Sequence, residues 1–256
     1  MGVPAAILAT RRAELDELGR RALPPAPERR PVALARKAGE PLRLIAEIKL
    51  RSPSAGALSS VLSVPERASA YQRGGARLIS VLTDRRFFAG SFENLQAARA
   101  GTALPLLCKD FIIDERQLDA ARAYGADAAL LIVRCLAAAD VSRLVQAARR
   151  RELVPFVEVV NEDEARLAVD AGAELIGVNT RDLDTLAMDR ERAERVLKVL
   201  PASVTRVQLS GIGSAAAVAR VADSGVDAAL IGEALMRADD PEPLLRQMLA
   251  SAAGSG

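Results

Sequence analysis

The chain contains no histidine and no tryptophan, and only two cysteines, two tyrosines and five phenylalanines in 256 residues. Without histidine there can be no Ser-His-Asp triad, no Cys-His nucleophile and no histidine-ligated metal. Proton transfer is left to carboxylates, lysine, tyrosine or cysteine. Cys108 and Cys135 both lie in apolar runs, so a disulfide framework is not expected. No apolar run approaches the ~20 residues of a membrane span and the N-terminus carries no signal-peptide pattern, so the expectation is a soluble, cytoplasmic protein. Basic residues are spread along the chain and net charge is only +2, which argues against a dedicated nucleic-acid surface.

Lysine is also scarce. Of 35 basic residues only Lys37, Lys49, Lys109 and Lys198 are lysines, the other 31 being arginine. Surface charge is written as arginine, so a lysine here is expected to have a reason to stay lysine, since arginine cannot give up its proton.

What the chain does have is apolar mass, 50% of its residues, in eight short runs: 42–49, 76–82, 104–109, 128–133, 153–160, 174–179, 204–210 and 227–232. Continuous rather than alternating apolarity suits parallel strands buried on both faces. Between them 118–125, 163–172 and 215–225 read as amphipathic helices ending at glycine. Gly75, Gly125, Gly172 and Gly225 open a repeated segment at intervals of 50, 47 and 53 residues, close to two βα units each. Eight such units predict a single (β/α)8 TIM barrel over 41–250, with an open doubly wound sheet as the alternative. Residues 1–40, including the proline-rich 23–31, read as a helical extension capping the barrel, or as a disordered tail; 251–256 read as a flexible tail.

Barrel sites form at the carboxyl ends of strands. There the sequence places Glu47 and Lys49, two apart and therefore on one side of a strand, then Lys109, Glu158 and Asn179. Each alone could be a solvated rim charge or a salt bridge; five converging on one mouth point to chemistry. The SGIGS and GEA segments (210–214, 232–234) follow the last two strands and suit a phosphate held by backbone N–H groups and a helix N-terminus. The same GIGSAA also fits a dinucleotide fingerprint, but only one further strand follows it.

The segments IAEIKLRSPSAG (45–56), ISVLTDRRFFAGS (79–91), CKDFIID (108–114), VEV (157–159), IGVNTRDL (176–183), SGIGS (210–214) and LIGEALM (230–236) resemble the indole-3-glycerol phosphate synthase family of tryptophan biosynthesis. The resemblance spans roughly residues 40–237. It implies a carbon–carbon lyase that closes 1-(2-carboxyphenylamino)-1-deoxyribulose 5-phosphate to indole-3-glycerol phosphate with loss of CO2 and water, without cofactor or metal. It implies Lys109 as the acid on the ketone oxygen, Lys49 as the contact to the anionic substrate and an aid to dehydration, and Glu158 as general base. Glu47 and Asn179 would orient groups around the reacting ring. Phe88, Phe111 and Leu130 would pack on the anthranilate ring, with plain core packing as the alternative for Leu130. Ser52, Ser54 and Arg181 would shape the site, and Ser210, Gly211 and Gly232 would cradle phosphate. The implied partner is a small phosphorylated substrate, with no nucleic acid and no membrane, the protein being a monomer or weak homo-oligomer.

Three residues depart from the family pattern: Leu209 replaces a glutamate, Cys108 an arginine and Val160 a histidine. With an apolar residue at 209 and a second lysine nearby, the catalytic lysine is expected to have a lowered pKa. A paralogue acting on a modified substrate and a phosphate-ligand-binding barrel remain as alternatives.

Overall fold

The computed structural model describes residues 3–52, 56–59, 61–181 and 188–253. Strands β1 (Arg43–Ile48), β2 (Leu78–Leu82), β3 (Leu106–Lys109), β4 (Ala128–Ile132), β5 (Val154–Val159), β6 (Leu175–Asn179), β7 (Thr205–Leu209) and β8 (Ala228–Ile231) each fall within one of the eight apolar runs. They pair in parallel in sequence order, and β1 also pairs with β8, so the sheet closes. Ile45 stands opposite Leu230 on one side and Leu78 on the other. That closure excludes the open doubly wound sheet, and with it the dinucleotide reading of GIGSAA.

Side-chain alternation along each strand separates two apolar layers. Ile45, Leu78, Leu107, Leu130, Phe156, Leu175, Val207 and Leu230 fill the barrel interior. Leu44, Ala46, Ile79, Val81, Cys108, Leu131, Val157, Ile176 and Ile231 face the surrounding helices. The helices are α2 (Val64–Arg73), α3 (Phe92–Gly101), α4 (Glu115–Ala123), α5 (Ala138–Arg150), α6 (Glu162–Asp170), α7 (Arg190–Val199), α8 (Ala215–Ala222) and α9 (Glu242–Ala250), preceded by α1 (Val3–Arg20). The four repeat glycines have φ between 77° and 99°, the left-handed conformation that ends a helix and turns the chain into the next strand.

The N-terminal extension holds one helix, α1, rather than several. From Ala22 to Lys37 the chain has no regular structure, because Pro24, Pro25, Pro27 and Pro31 remove backbone donors and fix φ. This strap crosses the amino ends of the strands and is pinned at two matching aspartates of the repeat. Asp127 accepts from the backbone N–H of Arg30 (2.7 Å) and of Leu106 (2.9 Å). Asp227 accepts from Arg36 N–H (3.0 Å) and Arg206 N–H (2.8 Å). Between these pins Leu34 is buried in the interior layer and stops the floor of the barrel. Ser251–Ala253, expected within a flexible tail, form a 3-10 turn with Ala252 buried and its carbonyl accepting from Leu42 N–H at 2.8 Å. Among the described residues no helix is long and apolar enough to cross a membrane.

Truncating the floor plug with Leu34→Ala should lower unfolding free energy by about 2–5 kcal/mol. Chemical denaturation should show the loss, with kinetic constants unchanged because the carboxyl end of the barrel is untouched.

Candidate active site

At the carboxyl ends of β1, β3, β5 and β6 the inward-facing residue becomes polar. Glu47, Lys109, Glu158 and Asn179 each lie two residues beyond an inward apolar or glycine position, so the parity that buries the core also aims these groups into one space. They border a cavity of about 550 Å³. Lys49, Ser52, Phe88, Phe111, Leu130, Arg181, Ser210, Gly211 and Gly232 border it too. Ser54 lies outside the described residues.

Glu47 is the electrostatic hub. Its Oε1 lies 3.2 Å from Lys49 Nζ and its Oε2 3.2 Å from Lys109 Nζ, while Ser80 Oγ donates to Oε2 at 3.4 Å. Burial opposes the charge of Glu47, but the two ammonium groups outweigh it and hold the carboxyl below the usual range. Gly232 makes room for this cluster: a Cβ there would stand 2.7 Å from Glu47 Oε1 and 3.5 Å from Lys49 Nζ.

The expected lowering of the lysine pKa is corrected here. Burial does favour neutral Lys109, yet Glu47 and Glu158 more than offset it, and the pKa is raised. A second lysine is present, but a shared carboxylate sits between the two. Leu209 therefore does not leave the lysines without an anion.

Glu158 behaves oppositely. Burial pushes its pKa up, and Lys109 with the Asn179 hydrogen bond recovers only part of that cost. Asn179 Nδ2 donates to Glu158 Oε1 at 2.8 Å, and Asn179 Oδ1 accepts from Ser210 Oγ (2.8 Å) and Arg181 N–H (3.0 Å). Ser210 has φ 67°, and Gly211 after it φ 75°, so the loop leaving β7 turns sharply beside this network.

An apolar wall faces the charges. The rings of Phe88 and Phe111 stack with centroids 6.4 Å apart, and Leu130, Ile132, Leu209 and Leu230 continue the surface. Leu209 is paired beside Asn179 and covers Gly177, where a Cβ would stand 2.6 Å from Leu209 Cδ1 and 2.7 Å from Phe156 Cε2. Cys108 and Val160 do not border the cavity. Cys108 faces the outer layer beside Thr83, its thiol pushed up to about 12 by burial and by Asp110. Such a thiol is no nucleophile at neutral pH.

Three participants were not singled out by the sequence. Ile7 of α1 reaches the cavity from above. Arg11 of α1 places Nη2 at 3.1 Å from Asp84 and 2.8 Å from Asp110, the residue after Lys109. Asp84 in turn caps the short Arg85–Phe88 helix by accepting from Phe87 N–H at 2.6 Å. Nothing local in 3–20 signals these contacts, because the partners lie more than 70 residues away. Thr180 is the third; its hydroxyl lies 2.8 Å from Ser210 Oγ. Among the described residues no group of three or more carboxylates or thiols converges as a metal site would require.

The profile of the indole-3-glycerol phosphate synthase family matches residues 5–248. Indole-3-glycerol phosphate synthase 1 of Streptomyces coelicolor is 43% identical over 240 residues, covering 94% of this chain and 88% of the relative. The Mycobacterium tuberculosis indole-3-glycerol phosphate synthase is 44% identical over 211 residues, covering 81% and 76%. Among solved structures, a 3-hexulose-6-phosphate synthase superimposes with TM-score 0.65 at 18% identity, covering 82% of this chain and 99% of that one. A thiamine phosphate pyrophosphorylase from Pyrococcus furiosus gives 0.63 at 20%, covering 82% and 95%. At that identity the last two share the fold alone.

Removing the shared anion should make Lys109 more acidic. In Glu47→Gln its titration, followed by NMR of [ε-13C]lysine in a chain with only four lysines, should fall by about one pH unit or more. An unmoved signal would mean that Glu47 does not set the lysine's charge.

Proposed function

The chain belongs to the indole-3-glycerol phosphate synthase family, and on that premise we propose how its own side chains divide the reaction. The enzyme is a decarboxylating lyase of tryptophan biosynthesis: it closes 1-(2-carboxyphenylamino)-1-deoxyribulose 5-phosphate to indole-3-glycerol phosphate, releasing CO2 and water. In our reading the anthranilate ring packs on Phe88, Phe111 and Leu130. The phosphate is held by the Ser210–Gly211 turn and the Gly232 segment, both of which border the cavity and lead into helices, an arrangement that suits an anion. Ser52 and Arg181 border the sugar.

Lys109 is cationic at neutral pH because two carboxylates outweigh its burial. It donates its proton to the ketone oxygen while the ring carbon bearing the carboxylate bonds to the former carbonyl carbon. The ring–carboxylate bond then breaks, CO2 departs and its bonding electrons restore the aromatic ring. Loss of charge from the substrate carboxylate is favoured beside an apolar wall, where an anion is poorly solvated. The new hydroxyl leaves as water with a proton from Lys49. Glu158 takes the proton whose removal completes the indole double bond. A carboxylate whose pKa is already raised holds a proton better than an ordinary glutamate, which suits a base near neutral pH. Glu47 keeps Lys109 charged and stands between the two lysines, and Asn179 aims Glu158.

The observation that carries this reading is the single buried carboxylate of Glu47 shared between Lys49 and Lys109 on the edge of the cavity. We place the reaction in the cytoplasm, carried out by a monomer or weak homo-oligomer that engages neither nucleic acid nor membrane. Leu209 supports a second reading, a relative turned to a less polar, ring-substituted substrate, since it extends the apolar wall where the family carries a glutamate. Turnover of ring-alkylated substrate exceeding that of the parent compound would favour it.

The direct test is incubation with the carboxyphenylamino substrate, following indole fluorescence and CO2. Lys109→Ala should lower kcat by ~10²–10⁴ while substrate still binds; a loss below tenfold would overturn its role as acid. Glu158→Gln should lose turnover on a similar scale with the fold intact. If that variant unfolds instead, Glu158 serves the structure and not the chemistry.

A further inference from the structure

We propose that Thr180 is a positioning residue for Glu158, heading a one-way chain of hydrogen bonds that runs Thr180, Ser210, Asn179, Glu158. The inference rests on the reading of Glu158 as the base and adds to it the residue that sets its orientation. The direction follows from counting protons. Glu158 Oε1 is an acceptor, so the Asn179 group 2.8 Å away is the Nδ2 donor and Oδ1 points the opposite way. That oxygen already receives Arg181 N–H at 3.0 Å and lies 2.8 Å from Ser210 Oγ, which must therefore donate to it. A serine hydroxyl has one proton. With it committed to Asn179, the 2.8 Å contact between Ser210 Oγ and Thr180 Oγ1 requires Thr180 to be the donor.

Thr180 itself does not border the cavity, so any effect on catalysis acts through its neighbours. It is 2% exposed and fixed by its backbone, its N–H donating to Leu209 O at 3.3 Å and its carbonyl accepting from Asp189 N–H at 2.8 Å. Its hydroxyl has only weaker alternatives, the carbonyls of Leu209 at 3.2 Å and Ser210 at 3.4 Å. Ser210, the middle link, holds a left-handed φ of 67° that a non-glycine residue adopts only when its surroundings impose it. The Thr180 hydroxyl is one of those surroundings.

Each donor in such a chain polarises the next, and the last bond falls on a carboxylate in a low-dielectric site. The chain thus favours the anionic form of Glu158 against its burial. The charged groups facing Glu158 are Lys109 from β3, Glu47 with Lys49 behind it from β1, and Glu164 of α6, which is itself paired to Arg134 at 3.3 Å. From β4 the paired residue is apolar Ile132. None of these touches Thr180, so its removal leaves them in place. Because Ser210 also opens the loop assigned to phosphate, anion seating and base orientation share one side chain.

The test compares Thr180→Val, which keeps the shape and deletes the hydroxyl, with Thr180→Ser, which keeps the hydroxyl, and Thr180→Ala as a second deletion should valine disturb the fold. Each is assayed in the full chain for kcat, KM and the pH profile of kcat/KM, beside Glu158→Gln. The deletions should lower kcat about three- to tenfold with KM within about twofold. They should also move the acid limb upward by roughly half a pH unit, because Glu158 must be ionised to act and loses support for its charge. Thr180→Ser should restore both. A limb that stays in place, or a serine variant as impaired as valine, overturns the proposal; a fall in thermal midpoint alone would mark Thr180 as structural. If Glu158→Gln keeps its activity, the base assignment fails and this proposal with it. If Glu158→Gln is inactive while Thr180→Val leaves the limb unmoved, only the role of Thr180 falls.

Discussion

One carboxylate, that of Glu47, has to neutralise two ammonium groups inside a barrel where it is 2% exposed. A buried charge is tolerated only when it is paired and hydrogen-bonded, so each of the three groups is a condition for the other two. The geometry propagates outward from there. The residue that follows β8 is glycine, and a Cβ at 232 would push the carboxylate aside. Ser80 on β2 completes the acceptor's shell from the opposite neighbour. Lys109 is held at a fixed depth, which in turn fixes where a ketone oxygen can receive its proton.

The opposing pKa directions of the two glutamates follow from position rather than chemistry. Glu47 has two cations within 3.2 Å and stays an anion. Glu158, equally buried, has an amide as its nearest partner and feels Lys109 only at longer range, so burial prevails. Two like residues thus divide into a fixed counter-ion and a group able to exchange a proton, the separation that acid–base chemistry requires.

Much of this was legible in the sequence, for identifiable reasons. Strands buried on both faces write themselves as apolar runs, and a period of two carries parity from the core to the mouth, so Glu47 and Lys49 were bound to share a side. Scarcity of lysine sets Lys109 apart. The sign of its pKa shift was not legible, because it depends on which group stands between two lysines, a matter of ångströms rather than spacing. Arg11 and Ile7 were hidden for another reason. They lie on a helix whose partners Asp84 and Asp110 come from distant strand ends, and an arginine among 31 carries no mark of its own. For the proline-rich strap, composition predicts a stiff turn within a helical extension, but it does not say that the strap's backbone donors will be taken by Asp127 and Asp227. Thr180 lay in plain view beside Asn179, yet its use depends on Ser210 across the gap between two strands.

The strap has a consequence for how the chain comes into being. Its Arg36 leaves a ribosome 191 residues before the aspartate that receives its N–H, which directly precedes the last strand. Strand β1 likewise has no second neighbour until β8 exists. Contacts of such long sequence separation are slow to form, since loop closure precedes any reward. The Arg36 end of the strap therefore stays unfastened until the last strand exists, whereas the Arg30 end has its partner as soon as Asp127 has been made. Until then its four prolines leave fewer backbone donors with which the strap could pair as a strand.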